Sequence, residues 1–217
     1  MRLLVSCADS GSLKEIICNA GTDTSKLTAP QPLHVGTFLS QGLNSAIDKL
    51  ELVSEEYLLL ARTNGSIELI KITRHPREKS QDDQKSVTGP EEVLPEFEVS
   101  NFERRSVMEA LTDESRLEPL YANSKRRVKL RDGFVSLQRF PNSKNTFLAA
   151  TKSGLIHVIE LDLETEEITK RNTLEVRAPL EFAQLNDLGT GLFDGKYIVG
   201  YGGEENLVKL IAVDPDF

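Results

Sequence analysis

The sequence predicts an all-β fold organised as a β-propeller of about four blades, and three observations predict it. One hairpin pattern is written four times, each copy turns at glycine or asparagine, and a further, weaker strand precedes each of the later copies. The copies are "RLLVSCADSGSLKEIICN" from Arg2, "YLLLARTNGSIELIKIT" from Tyr57, "TFLAATKSGLIHVIELD" from Thr146 and "YIVGYGGEENLVKLIAVD" from Tyr197, placing blade hairpins near 2–19, 57–73, 146–162 and 197–214. Each has an apolar run, a small polar turn, and a second run with Ile, Leu or Val at similar offsets. Fixed-period self-similarity of this kind marks repeat architectures.

The turns fit tight hairpins. Ser10-Gly11, Asn64-Gly65 and Ser153-Gly154 put glycine where positive φ is needed, and Asn206 is the best non-glycine substitute in the fourth copy. The strands are apolar on successive residues, as in "LLLA", "FLAA" and "YIVG". Sheets covered on both faces read this way. The preceding strands are "LNSAIDKLEL", "DGFVSLQRF" and "PLEFAQLNDL". A sandwich of irregular hairpins is the alternative, but a sandwich has no reason to repeat one hairpin together with its glycine turn.

The spacing is uneven. Tyr57 and Tyr197 follow the preceding starts by 55 and 51 residues, whereas Thr146 follows Tyr57 by 89. The extra length begins with "RHPREKSQDDQKSVTGPEE" at 74–92, too polar to order itself, which predicts a disordered insertion loop there. Residues 93–131 form an ordered or partner-binding remainder of the insertion. An open arc of four blades leaves two apolar faces of roughly 400 Å², about 10 kcal/mol each at about 25 cal/mol per Å². That rivals the stability of a whole domain, about 5–15 kcal/mol. The first hairpin has no strand before it and must borrow partners, so the ring closes on itself or the chain is a piece of a longer protein. The ending "VDPDF", directly after a strand, favours the piece.

The 26 Lys and Arg stand against 34 Asp and Glu, a formal charge of −8, which disfavours bulk electrostatic wrapping of nucleic acid and leaves local basic patches open. In a hairpin turning near Ser10, Cys18 faces Arg2, about five residues or roughly 16 Å from Cys7, beyond the ~7 Å reach of a disulfide. Two reduced thiols point to an intracellular protein. There is no signal-peptide layout and no eighteen-residue apolar run, so neither secretion nor a membrane is expected.

Four strings, "RLLVSCADSGSLKE" followed by "NAGTDTS", "VKLRDGFVSL", "LAATKSGLIHVI" and "YGGEENLVKL", closely resemble the Nop-seven-associated family of WD-repeat-like ribosome biogenesis factors, its fungal members in particular. The general Gly-His and Trp-Asp signatures of WD repeats are missing, and the sequence has no tryptophan, so the resemblance rests on these strings. It implies a seven-bladed WD40-like ring of which this chain holds the N-terminal half, with the Met1 hairpin completing the last blade. It further implies a nuclear, nucleolar role on pre-60S particles, the precursors of the large ribosomal subunit, beside Brix-domain and other assembly factors, with an AAA-type ATPase for release.

Two stretches are candidate contact sites. "KRRVKLR" holds Lys125, Arg126, Arg127, Lys129 and Arg131, suited to nuclear import or to pre-rRNA phosphates, since clustered cations release counterions from RNA; the plain alternative is a solvated loop. In 94–121, Phe97 and Phe102 interrupt a charged background, and Ser106 with Glu109 has capping-box spacing near Met108, Leu111 and Leu117. This predicts an amphipathic helix or linear motif offered to a partner, unless the apolar residues pack across a neighbouring blade.

Catalysis, cofactors, metals and small-molecule substrates are not expected. His34, His75 and His157 are scattered, and His157, mid-strand, reads as a hydrogen-bonded core residue. Ser153 lacks the preceding glycine of a nucleophile elbow, and "GTGLFDG" at 189–195 has the wrong spacing for a dinucleotide fingerprint. Acidic pairs, Glu204-Glu205 and "ETEE" at 164–167, sit in turns. The leading expectation is a non-catalytic scaffold of large-subunit assembly; the alternative is a propeller adaptor reading peptides in another nuclear pathway.

Overall fold

A computed structural model of the chain describes residues 2–7, 12–18, 32–38, 45–77, 98–120, 131–186, 197–202 and 208–213. They form four antiparallel sheets in chain order. The first holds β1 (Arg2–Cys7), β2 (Ser12–Cys18) and β3 (Pro32–Phe38). The second holds β4 (Ile47–Leu52), β5 (Tyr57–Arg62), β6 (Ile67–Pro76) and β7 (Glu98–Met108). A 3-10 turn (Glu114–Arg116) and a short helix, α1 (Leu117–Leu120), lead to the third sheet: β8 (Phe134–Arg139), β9 (Thr146–Thr151), β10 (Leu155–Asp162) and β11 (Glu167–Glu175). The fourth holds β12 (Phe182–Asn186), β13 (Tyr197–Gly202) and β14 (Val208–Val213). The fold is all-β, as the sequence predicts.

The recurring hairpin is β1–β2, β5–β6, β9–β10 and β13–β14. In the second and third sheets it is the central pair, with a strand before it and a strand after it. These two sheets repeat even in their irregularities. Register shifts fall between Ile47 and Lys49 and between Phe134 and Ser136 on the first strands, and at Leu69/Ile70 and Val158/Ile159 on the third. Among the described residues, the first sheet has no strand before its hairpin and the fourth has none after it. The first hairpin does not depend on borrowed partners alone, because β3, downstream in the chain, pairs with β2.

Consecutive sheets stack face to face, with β4 against β8 and β8 against β12, and β7 touching β3 and β11 at the other edge. Successive residues of β5 therefore serve two different cores. Leu58 and Leu60 pack with Leu13, Ile70 and Ile72 toward the first sheet. Leu59 and Ala61 pack with Phe134, Leu137, Phe147 and Ala149 of the third. On β9, Leu148 and Ala150 turn the other way, to Ala183, Leu185 and Val199 of the fourth sheet. This double coverage is the cause of the unbroken apolar runs in the sequence.

Two expectations are corrected. The Ser106–Glu109 spacing does not start a helix: residues 98–108 are strand β7, paired with β6 along its whole length. Asn101, Glu103, Arg105 and Val107 are exposed and alternate with partly buried Phe102, Arg104, Ser106 and Met108, so the open edge of β6 outweighs a local capping preference. The helical turn begins later, where the Asp113 carboxylate accepts a hydrogen bond from the Ser115 amide. Second, the 74–92 loop starts too early, because β6 runs to Pro76 through the pairs Arg74–Ser100, His75–Val99 and Pro76–Glu98. Residues 78–97, including most of that loop and Phe97, lie outside the described residues, as do the turns carrying Ser10-Gly11 and Asn206.

Candidate functional site

The candidate site is the end of the second and third sheets where the β5–β6 and β9–β10 turns lie. In both turns a glycine has positive φ, +84° at Gly65 and +85° at Gly154, as the sequence requires. Each turn glycine also accepts a hydrogen bond from the chain leaving its own sheet: Leu111 N–H donates to the Gly65 carbonyl at 3.0 Å and Val176 N–H to the Gly154 carbonyl at 2.8 Å. Each turn donates to the residue entering the sheet, Thr63 N–H to the Ala46 carbonyl and Lys152 N–H to the Gly133 carbonyl. Connections between sheets are thus laid over the hairpin turns by main-chain bonds that repeat.

Side chains then fix the connection that runs from β7 to β8. Asp132 is buried beside the third sheet's turn, and its carboxylate accepts from the Ser153 amide (2.9 Å), the Ser153 hydroxyl (2.6 Å), the Gly133 amide (3.0 Å) and the Asp113 amide (2.8 Å). Thr151 and Ser153 exchange a hydrogen bond at 2.9 Å. His157 on β10 places Nε2 2.7 Å from the Leu111 carbonyl and Nδ1 2.9 Å from the Thr173 hydroxyl. A carbonyl only accepts, so Nε2 carries the proton and Nδ1 accepts from Thr173. Burial pushes the His157 pKa below its ordinary value, against the opposing pull of the Leu111 carbonyl, so the ring is neutral. His157 is the hydrogen-bonded core residue its mid-strand position predicts.

The second sheet fills the equivalent positions with charge. Arg62 and Glu68 are both 0% exposed and meet at 3.0 Å, Arg62 also donates to the Ser45 carbonyl, and Arg104 approaches Glu68 at 3.6 Å. At the opposite end of these sheets Glu166, itself at φ +56°, accepts from the Tyr57 hydroxyl (2.7 Å) and Lys71 (2.8 Å) and pairs with Arg105 (3.0 Å). Those partners, Lys71 first, hold the Glu166 carboxyl below its ordinary pKa. Both clusters tie strands and sheets together.

Of the residues singled out from the sequence, Lys125, Arg126, Arg127 and Lys129 lie outside the described residues, as does Phe97. Arg131 is exposed and reaches the Thr63 hydroxyl at 3.4 Å, beside the turn face. Phe102 is elsewhere: it pairs with Ile72 across β6 and β7 and lines a groove of about 280 Å³ with Leu50, Leu52, Arg74, Ser100 and Glu15. The structure therefore does not bring Arg131 and Phe102 together. Among the described residues, no group of three or more His, Cys, Asp or Glu side chains is placed to hold a metal ion. The residues that sequence reasoning missed are Asp132, with its link to Asp113, and the Arg62–Glu68 pair; a charged residue inside an apolar strand was the available signal for the second.

Searched against protein-family models, the chain matches none. Curated relatives are closer. It is 50% identical over 218 residues to Ribosome biogenesis protein NSA1 of Vanderwaltozyma polyspora, covering 100% of this chain and 47% of that protein. The proteins of the same name from Saccharomyces cerevisiae (strain S288c) and Kluyveromyces lactis are 45% and 43% identical, again over 100% of this chain and 48% and 47% of theirs. This chain is a homologue of the fungal NSA1 ribosome biogenesis proteins. The resemblance carried by the four strings thus extends over the whole chain, which spans about half the length of the curated relatives it matches.

Proposed function

We propose that this chain is part of a nuclear, nucleolar ribosome biogenesis factor that acts as a non-catalytic scaffold on precursors of the large ribosomal subunit. The observation that carries the proposal is the shared name of relatives 43–50% identical along the entire chain. The architecture that suits it is a WD40-like propeller continued by further sheets of the longer protein. Its support is geometric. The first sheet lacks a strand before its hairpin and the fourth lacks one after it, among the described residues. Leu52, 51% exposed and on the face of β4 that shares a groove with Glu15 of the first sheet, lies where a preceding strand would pack. Val208 and Leu210, each 66% exposed, lie on the far face of the fourth sheet, where a next sheet would stack.

In this reading the turn ends of the sheets, and the connection between the second and third, meet assembly factors of the Brix-domain kind and precursor RNA phosphates, and an AAA-type ATPase releases the factor. Affinity purification of the full-length protein from nuclear extract tests it. Precursor RNA of the large subunit and its assembly factors are expected to co-purify. Their absence, with peptides of another nuclear pathway in their place, overturns the proposal in favour of an adaptor. The basic run is tested by Lys125→Glu, Arg126→Glu and Arg127→Glu together; unchanged particle binding and unchanged nuclear accumulation remove it from the site.

A further inference from the structure

The two faces of the second sheet are packed differently. Toward the third sheet, Leu59, Ala61, Ile67 and Leu69 meet Phe147 and Ile159 in an apolar core. Toward the first sheet, apolar and charged side chains share one face. On β5, Leu58 and Leu60 are followed by Arg62; on β6, Ile70 and Ile72 are preceded by Glu68, which lies opposite Leu60. On β7, Arg104 stands opposite Ile70 and Phe102 opposite Ile72. Four charged side chains are buried among the described residues, Glu15, Arg62, Glu68 and Asp132, and the first three belong to this seam. Glu15 of β2 crosses it, accepting from the Ser100 amide at 2.9 Å and the Ser100 hydroxyl at 2.6 Å. Beside that link the seam is not filled: a groove of about 280 Å³ lies between Glu15 and the side chains of Leu50, Leu52, Ile72 and Phe102. Buried ions contribute little net stability relative to apolar packing, and empty space forfeits dispersion contacts. The first sheet is therefore attached less firmly to the second than the second is to the third.

We propose that the first sheet is a detachable unit of the fold, which separates from the second along the Glu15–Ser100 seam while the second and third sheets stay folded. Its own strands hold together in the open form, since β2 is paired with β1 on one side and β3 on the other. Opening uncovers Leu58, Leu60, Ile70 and Ile72 and leaves Leu59 packed with Phe147, because successive residues of β5 serve opposite faces. This conformational step does not depend on the proposed role in ribosome assembly.

The test is native-state hydrogen exchange on the full-length protein in low urea, followed at the amides of β2, β3, β5 and β9. In the unaltered protein the slowest amides of β2 and β3 are expected to be at least about tenfold less protected than those of Leu59 and Leu148. They are also expected to share one urea dependence, shallower than that of β5 and β9, because opening one seam exposes less surface than unfolding the chain. A single protection and slope for all four strands makes the fold one cooperative unit and overturns the proposal. Scattered values in β2 and β3, with no common urea dependence, mean strand-by-strand fraying and overturn it too. In Glu15→Gln, which keeps volume but loses one acceptor oxygen, β2 and β3 lose at least about threefold more protection while Leu59 and Leu148 keep theirs. Equal loss in all four strands, or none in β2 and β3, refutes the seam. Ser100→Ala, which removes only the hydroxyl, acts in the same direction and decides the matter where Glu15→Gln does not fold.

Discussion

The second and third sheets share a backbone and differ in what they bury in it. Arg62 stands where Thr151 stands, Asn64 where Ser153 does, and Glu68 where His157 does, at matching places around Gly65 and Gly154. One sheet encloses an ion pair; its neighbour encloses hydroxyls and a neutral imidazole. The lesson is that the repeat lies in main-chain geometry and apolar alternation, while each polar position at the turn is solved locally. The two solutions answer differently to substitution and to pH.

The largest contrast is expected at the ion pair. Glu68→Ala leaves a buried guanidinium without its carboxylate and costs about 3–5 kcal/mol in urea denaturation, whereas Arg62→Met with Glu68→Leu stays within about 1–2 kcal/mol of the unaltered protein. A Glu68→Ala loss below about 1 kcal/mol means that water or another group takes over the charge. Next come the turn glycines. An alanine Cβ at Gly154 stands 2.4 Å from the Val176 carbonyl oxygen and 2.7 Å from that of Ala178, both main chain, while at Gly65 it meets the Thr112 hydroxyl at 2.1 Å. Together with the left-handed backbone, Gly154→Ala is expected to cost about 2–4 kcal/mol. Thr112→Ala restores part of the Gly65→Ala loss, and no single side-chain change restores Gly154→Ala. Equal rescue at both turns breaks the comparison.

Titration separates the sheets more gently. The folded His157 pKa lies below the unfolded value of about 6.5, so on acidification the unfolded chain takes up the proton first. Stability is fully present above about pH 6.5 and falls as pH drops toward the folded pKa, at up to about 1.4 kcal/mol per pH unit from this one group. Asp132, which favours the charged ring, and Lys170, which opposes it, are the charges that act on it. His157→Gln flattens the slope below about pH 6.5; an unchanged slope assigns it to other groups. The smallest effect is at the rim, where Arg171 and Glu160 form a two-bond pair at 2.6 Å across β10 and β11. Arg171 is exposed and Glu160 half-buried, and Glu160→Gln shifts the urea midpoint by an amount equivalent to no more than about 1 kcal/mol.

How much of this was legible follows from the range of each interaction. The four hairpins, the glycine turns at Gly65 and Gly154 and the preceding strands β4, β8 and β12 are local patterns, and they were readable. Strand β3 escaped because Pro32, Gly36 and a single apolar alternation make a weak signal. Strand β7 was misread because its pairing with β6 joins residues on either side of a long insertion, so a local Ser106–Glu109 spacing carried more weight than it deserved. At the candidate site, the role of Gly154 and the buried state of His157 were visible. The Leu111 carbonyl on that ring and the Asp113 amide on Asp132 were not, since a hydrogen bond between residues 46 or 19 apart leaves no periodic trace.

Strands β5 and β9 have every residue buried, odd ones in one core and even ones in the next. Such ribbons have no side left to show a visitor along their length. What β5 and β9 can offer another molecule lies at their ends, where a loop can be lengthened or recharged without disturbing a single packed methyl group.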